Sequence, residues 1–483
     1  MFRKPFFFFC VLACPLSCGA PTDARNQERL PPDTAQIARL EQQLEELRWK
    51  LHIPALSAAI VERQRLRWSK GFGYADVERK TPATPETNYR IASLTKTFAS
   101  TLLMQLVEQG KLDLDTPIAK LAPEFQQRFE NDAITIRHVF THTSHDNPGE
   151  SYRYDGNRFS YLTRVIETAS GMPFRGLLVK NILDKIEMSG SVPGQDVLDD
   201  RAKWPELLDD EHARRYEHGL ALLAKPYRLY GSEIVQAISP PRGISASAGL
   251  VSNVVDLAKY DAAVDRHTFI KTETQEQAWT PAKSQNGNTL PYGLGWFIQR
   301  AGGTRLVWHY GYWPDSFSSL YLKVPEKNIS FILLANSDGL SAPFRLGNGN
   351  VTRSAFADLF LRAFVFQDTN YESEATMHDA IGEWLAARRA ATRNVVAVDP
   401  KIYAAYAGQY QLESGESFTI THDAGKLFVT LFGSRVELFP EAADRFFAKA
   451  VEIQLAFEKR DNGKIAGAGI QLPGRRGRAT KVD

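Results

Sequence analysis

Apolar residues at 37, 40, 44, 47 and 51 fall three or four positions apart among charged neighbours, a period that predicts an amphipathic helix. Ala55–Val61 and Arg65–Tyr74 follow and read as a strand pair. The helical period returns at Leu94, with Phe98, Leu102 and Leu106 on one face and Gly110 as a stop signal. Ile136–Thr143 and Arg158–Ser170 predict two more helices, the second carrying Leu162, Val165, Ile166 and Ala169. Residues 185–245 are rich in charge and proline with weak periodicity, which predicts loops and short helices over a cleft. Arg305–Tyr310, Ser318–Val324 and Ile329–Ala335 predict three consecutive strands, and Val351–Phe366 an apolar helix. Two strands near the start, three near the end and helices between them imply an α+β fold, with helices packed on one antiparallel sheet closed by both ends of the domain.

The pattern then changes. Gln367–Glu374 is polar, and Ala375–Thr392 predicts a linking helix. After Asp399-Pro400 the chain turns to short strands. Val451, Ile453, Leu455 and Phe457 alternate with Glu452, Gln454, Ala456 and Glu458. Asp461-Asn462-Gly463 and Asp423-Ala424-Gly425 are turn signals. The expected organisation is therefore an α+β domain over 34–368, a linker with a helix over 369–399, and a small antiparallel β domain over 400–483.

Lys+Arg 58 against Asp+Glu 56 is close to balance, so no long-range field toward nucleic acid is expected. The N-terminus changes the picture more. Phe2-Arg3-Lys4 is a positive start, and the apolar run from Pro5 to Ser17 is too short to span a bilayer but fits a secretory signal over 1–20. A polar tether over 21–33 follows. All three cysteines, Cys10, Cys14 and Cys18, lie in the signal, so the body of an exported chain carries no disulfide. Leu16-Ser17-Cys18-Gly19 resembles a bacterial lipoprotein box, with Pro15 in place of the usual aliphatic residue. Two readings stay open: lipid anchoring through Cys18, or a plain signal peptide. Either makes the protein exported, as a periplasmic protein or a membrane-anchored lipoprotein.

Ser93-Leu94-Thr95-Lys96 is the one Ser-x-x-Lys of the chain, and it falls where a loop becomes a helix. One helical turn separates the two side chains, which puts them on the same face. Free N–H groups at a helix start favour an oxyanion. A desolvated lysine gives up its proton more readily and can act as a base toward the hydroxyl. The tetrad alone is common by chance; the motifs that follow it in order give it weight. They are Tyr89-Arg90-Ile91-Ala92-Ser93-Leu94-Thr95-Lys96, Ile136–Ser144, Tyr154 before a helix ending at Gly171, Ala248-Gly249-Leu250-Val251-Ser252, Tyr292-Gly293-Leu294-Gly295-Trp296, and His309-Tyr310-Gly311 before two apolar strands.

Over roughly residues 35–365 the chain resembles the serine β-lactamase and penicillin-binding-protein superfamily, in the branch of class C β-lactamases, D-aminopeptidases and esterases. The C-terminal part, through Tyr406-Ala407-Gly408-Gln409-Tyr410 and Phe446-Phe447, resembles the lipocalin-like β-barrel that follows this domain in many relatives. The resemblance implies an acylated Ser93, Lys96 as its partner, and Tyr154 as a base whose phenolate is stabilised by cations. His309, Tyr310 and Gly311 take the place of Lys-Thr-Gly, and the N–H groups of Ser93 and Tyr312 form the oxyanion hole. Gly156 stands where the family carries asparagine, leaving Asn157 as a substitute donor. His309 in place of lysine weakens recognition of a carboxylate, as in β-lactams. The implied activity is an acyl-enzyme hydrolase of esters, amides, peptide-like substrates or cell-wall fragments, with β-lactamase, D,D-carboxypeptidase or D-aminopeptidase as the alternative. A non-catalytic binding protein for peptidoglycan or a partner is the rival of another class. No cofactor and no metal are implied.

Plainer readings stand beside these. Taken alone, Tyr154 reads as a half-buried structural tyrosine, which the motif order outweighs, and His309, between Trp308 and Tyr310, has a core-histidine reading beside the favoured catalytic or substrate-contact one. His138 and His142 mimic half a zinc site without the rest of one. Ser245–Gly249 lacks the first glycine of a nucleophile elbow and reads as a cleft wall, and Gly71-Phe72-Gly73 reads as a turn or close strand packing.

Overall fold

A computed structural model describes residues 34–129, 131–199, 209–367, 371, 375, 379–431, 433–472 and 475–482. The segments expected to be a signal and a tether, with Cys18, lie outside the described residues. The first helix, Thr34–Lys50, buries Ile37, Leu40 and Leu44, as its period predicts.

Seven antiparallel strands form the main sheet, in the order Thr81–Pro82, Arg65–Asp76, Ala55–Glu62, Ile329–Ala335, Phe317–Val324, Thr304–Trp313 and Phe297–Ala301. The central pair joins the two ends of the domain in a register that runs from Leu56↔Ala335 to Glu62↔Ile329. These strands are apolar almost throughout because both faces are covered. Leu56, Ile60, Phe331 and Leu333 face a core closed by Thr34–Lys50 and Ala355–Phe360. Ala55, Ala59, Ile332 and Leu334 face the other core, with Thr95–Glu108 and Val254–Asp265. Gly71 lies against Thr81–Pro82, where a β carbon would stand 2.2 Å from Ala83 O; the role is close strand packing.

Several expected elements differ in detail. The helix expected at Ile136–Thr143 ends at Phe140, and His142 adopts a left-handed φ of 57°. Arg158–Ser170 is two helices, Gly156–Ser160 and Leu162–Ser170, the second stopped by Gly171 at φ 71°. Val351–Phe366 is broken by Ser354, whose Oγ caps Ala355–Phe360. The segment 185–245 contains a full helix, Asp210–Ala221, and a hairpin, Tyr227–Tyr230 with Glu233–Gln236.

The C-terminal strands, from Gly408–Leu412 to Arg475–Lys481, close into an eight-stranded barrel. Its turn at Ala424-Gly425 has both residues at positive φ (46° and 73°), which matches the strand twist. Tyr410, Phe418, Leu427, Val429, Leu455 and Phe457 are buried in its core. The helix expected as a connector is Ala380–Ala390, and it is more than one: Ile381 is buried in the outer core of the seven-stranded sheet, with Trp384 and Leu385 packed against it.

Candidate active site

Ser93 lies in a single turn, Ala92–Leu94, between the short strand Tyr89–Arg90 and the helix Thr95–Glu108. Ala92 has a φ of 49°, a left-handed conformation uncommon for a residue with a β carbon. The turn is pressed against the strand Thr304–Trp313 at Gly311. A β carbon on Gly311 would stand 2.2 Å from Ile91 O and 3.1 Å from Ala92 Cβ, so only glycine lets the two segments meet. Ser319 Oγ ties the same point down by donating to Ile91 O at 2.9 Å.

Lys96 Nζ is 3.0 Å from Ser93 Oγ and donates to Ser247 O at 2.9 Å. Its side chain is fully buried, with the ammonium 5.2 Å from the Tyr154 ring centre and 5.1 Å from that of Phe159. Burial disfavours the charged form and brings its pKa down to about 7, against a weaker pull from Asp155. Ser247, read from sequence as part of a cleft wall, thus supplies a carbonyl to the lysine; a backbone contact of this kind leaves no signal in sequence.

Tyr154 is held by its neighbours on both sides. Asp155 caps the helix Gly156–Ser160 by accepting from Asn157 N and Arg158 N, and His145 Nε2 lies 2.9 Å from Asp155 Oδ2. His142 Nδ1 accepts the Asp155 N–H at 3.1 Å, and its ring lies 4.3 Å from that of Tyr154. The Tyr154 hydroxyl is enclosed and makes no hydrogen bond of normal geometry. Burial, reinforced by Tyr310, raises its pKa well above 10, while Ser93 is the neighbour that favours its ionised form. The phenol therefore stays protonated at rest, which departs from the expectation of a resting phenolate base: the cation beside it, Lys96, is only about half protonated at neutral pH. The structure does bring the Ser93 hydroxyl, the Lys96 amine and the Tyr154 phenol together.

His309 is fully buried, with both ring nitrogens engaged. Nδ1 lies 2.7 Å from Tyr310 O and so carries the proton, and Nε2 accepts from Tyr292 Oη at 2.9 Å. Burial and Lys96 hold its pKa well below 6.5, so the ring is neutral. The expected substrate contact gives way here to a buried brace: His309 reaches the site through Tyr292 and the Tyr154 wall.

Gly311 and Tyr312 lie on the strand edge beyond Trp308, where pairing with Phe297–Ala301 ends. Ser341 Oγ donates to Gly311 O at 3.0 Å. A trans peptide sets its N–H opposite its C=O, so with that carbonyl held inward the Tyr312 N–H points to the open edge. The Tyr312 side chain is 38 % exposed. Asn157 is exposed, and no side-chain bond ties it to Ser93 or Lys96. Gly156 is the residue that faces the lysine, a β carbon there standing 3.7 Å from Lys96 Nζ. Asn157 stands one step further along the helix Gly156–Ser160. His138 Nδ1 accepts from Thr135 N at 3.1 Å, a capping role apart from His142. The cavity of about 430 Å³ bounded by Arg137, His138, Thr143, Lys283 and Gln285 is separate; none of Ser93, Lys96 or Tyr154 lines it.

Comparison with known proteins supports the family and the fold. The Beta-lactamase family model matches residues 37–355, and a Domain of unknown function (DUF3471) matches 392–479. Penicillin-binding protein 4* of Bacillus subtilis (strain 168) is 25% identical over 435 residues, covering 80% of this chain and 86% of that protein. Protein flp of Staphylococcus aureus (strain MW2) is 25% identical over 334 residues, 61% of this chain and 62% of that protein. Among solved structures, the octameric penicillin-binding protein homologue from Pyrococcus abyssi superposes with a TM-score of 0.54 at 23% identity, over 92% of this chain and 100% of that one. SurE superposes with a TM-score of 0.52 at 20% identity, over 93% and 100%. At these identities the solved structures speak for the fold.

Proposed function

The chain belongs to the beta-lactamase family of serine hydrolases, and from that premise we propose that it is a working hydrolase that forms an acyl-enzyme on Ser93. The observation that carries this reading is the buried Lys96 amine, 3.0 Å from Ser93 Oγ with a pKa of about 7. In its neutral form Lys96 keeps one N–H on Ser247 O and turns its lone pair to the Ser93 hydroxyl.

Ser93 Oγ attacks the substrate carbonyl carbon, and its proton passes to Lys96 Nζ. The carbonyl π pair moves onto oxygen, where the N–H groups of Ser93 and Tyr312 stabilise it. As the tetrahedral intermediate collapses, the bond to the leaving alcohol or amine breaks. Tyr154, protonated and beside Ser93, donates a proton to that group and recovers one from Lys96. Water then attacks the acyl ester, passes a proton to Lys96, and releases the acid as Ser93 regains its proton.

Substrates are esters and amides, peptide-like ones among them. Neutral, buried His309 supplies no positive charge for a substrate carboxylate, which ranks carboxylate-bearing β-lactams and D,D-peptides below neutral esters. The apolar leader ending near Cys18 supports export, either free or lipid-anchored.

Intact-mass analysis after a fluorophosphonate tests the reading. One adduct is expected on the wild-type chain and none on Ser93→Ala, whose ester hydrolysis falls by about 10⁴-fold or more. A folded wild-type chain that takes no label sinks it.

A further inference from the structure

The helix Ala380–Ala390 lies beyond the strands that build the site, yet its Arg388 bridges two acids next to the site's edge. Arg388 Nη1 is 2.5 Å from Asp315 Oδ1, and Nη2 is 2.5 Å from Asp338 Oδ2. Asp338 is fully buried, and Asp315 N donates to its Oδ2 at 3.1 Å. Asp315 has a φ of 59° and stands in the tight turn that joins Thr304–Trp313 to Phe317–Val324, three residues after Tyr312. Arg228 adds a second cation at 3.4 Å from Asp315.

From Asp338 the bonds lead directly to the proposed oxyanion edge. Asp338 opens the turn Asp338–Leu340, and Ser341 N donates to Asp338 O at 3.1 Å. Ser341 Oγ then holds Gly311 O, the carbonyl whose position aims the Tyr312 N–H. In parallel, Leu340 N donates to Ser318 Oγ at 3.3 Å, and Ser318 is the cross-strand partner of Tyr312. A planar guanidinium can hold both carboxylates at once, which a lysine ammonium does less well.

We infer that Arg388 is a positioning residue for catalysis: by clamping Asp315 and Asp338, the linking helix fixes the Gly311–Tyr312 peptide that stabilises the oxyanion. The hydrolase domain therefore ends after this helix rather than before it. This rests on the acyl-enzyme reading above. Misaiming an oxyanion donor weakens transition-state binding more than substrate binding.

The test uses the full chain with Arg388→Met, Arg388→Lys and Asp315→Asn, each checked for folding by circular dichroism and melting. Three readouts are taken: kcat and KM on a p-nitrophenyl ester, the fluorophosphonate labelling rate, and affinity for a boronic acid that forms a tetrahedral adduct on Ser93. In Arg388→Met, kcat and boronate affinity are expected to fall together by roughly ten- to hundredfold, with KM within about twofold, and Arg388→Lys to recover part of the loss. A role in stability alone would lower the melting point and leave boronate affinity unchanged. If Arg388→Met does not fold, Arg388→Lys and Asp315→Asn carry the test. Folded variants with wild-type kcat and boronate affinity overturn this inference alone. A wild-type chain that takes no label overturns the acyl-enzyme reading and this inference with it.

Discussion

Lys96 is a residue whose ordinary charge would defeat its task. Enclosed by Tyr154 and Phe159, it sits at a pKa of about 7, where the amine and ammonium forms are comparably populated at neutral pH. The base form is lost as pH falls through that value. The rate of Ser93 labelling and kcat/KM on a neutral ester are therefore expected to rise with pH along a limb centred near 7. A limb centred near the ordinary lysine value would show that Lys96 keeps its ordinary basicity and is no base at neutral pH. The stability linkage has the opposite sense to that of a paired lysine. Between pH 7 and 10.5 the unfolded chain binds the extra proton, so Lys96 makes stability increase with pH across that window. Lys96→Met removes this term; it is expected to abolish labelling and raise the melting temperature at pH 6.

The same residue scale separates what the sequence carried from what it did not. Ser93 and Lys96 could be paired from their spacing, because one helical turn is a fixed distance. Tyr154 depended on motif order, since nothing local ties it to Ser93. The fate of His309 depended on burial and on Tyr292, seventeen residues away, which spacing does not express. Asn157 is one step along the helix from Gly156, the residue that faces Lys96, and one step turns a side chain by about 100°.

Among the elements, the contact between the nucleophile turn and the edge strand is the tightest constraint on the site. Left-handed Ala92 and the absent side chain at Gly311 are two halves of one fit. Gly311→Ala is expected to destabilise the protein by about 1–3 kcal/mol through overpacking and to suppress labelling more than that loss accounts for, as seen by comparing chemical denaturation with labelling rate. Wild-type labelling in that variant would mean that the turn and strand can separate freely. The strands Ala55–Glu62, Phe317–Val324 and Ile329–Ala335 were legible because both of their faces are apolar and buried. The strand Phe297–Ala301 escaped because Gln299 and Arg300 interrupt it. The linking helix was read only as a connector because its apolar residues, Ile381, Trp384 and Leu385, meet a sheet built from distant parts of the chain.

At the scale of the molecule, two cores share the seven-stranded sheet and a third fills the barrel. The barrel meets the hydrolase domain through the Tyr230–Phe447 stack and the pair Lys449–Glu233, and the linker through Arg393–Glu441. Exposed pairs of this kind contribute little individually. A stronger charged contact lies inside the main sheet, where Lys323, almost fully buried, stands 2.5 Å from Asp261 and 2.9 Å from Asp265. Lys323→Ala strands two carboxylates against the helix Val254–Asp265 and is expected to lower stability by about 3–5 kcal/mol, measured by chemical denaturation. A loss below about 1 kcal/mol would place the group among the weak pairs.

The pairing of Leu56 with Ala335 gives the molecule a timetable as well as a shape. A chain still being synthesised carries its first strands for hundreds of residues before their neighbour emerges, so the middle of the sheet forms late. Until then the sheet lacks its central pairing, the kind of long-range contact that slows folding.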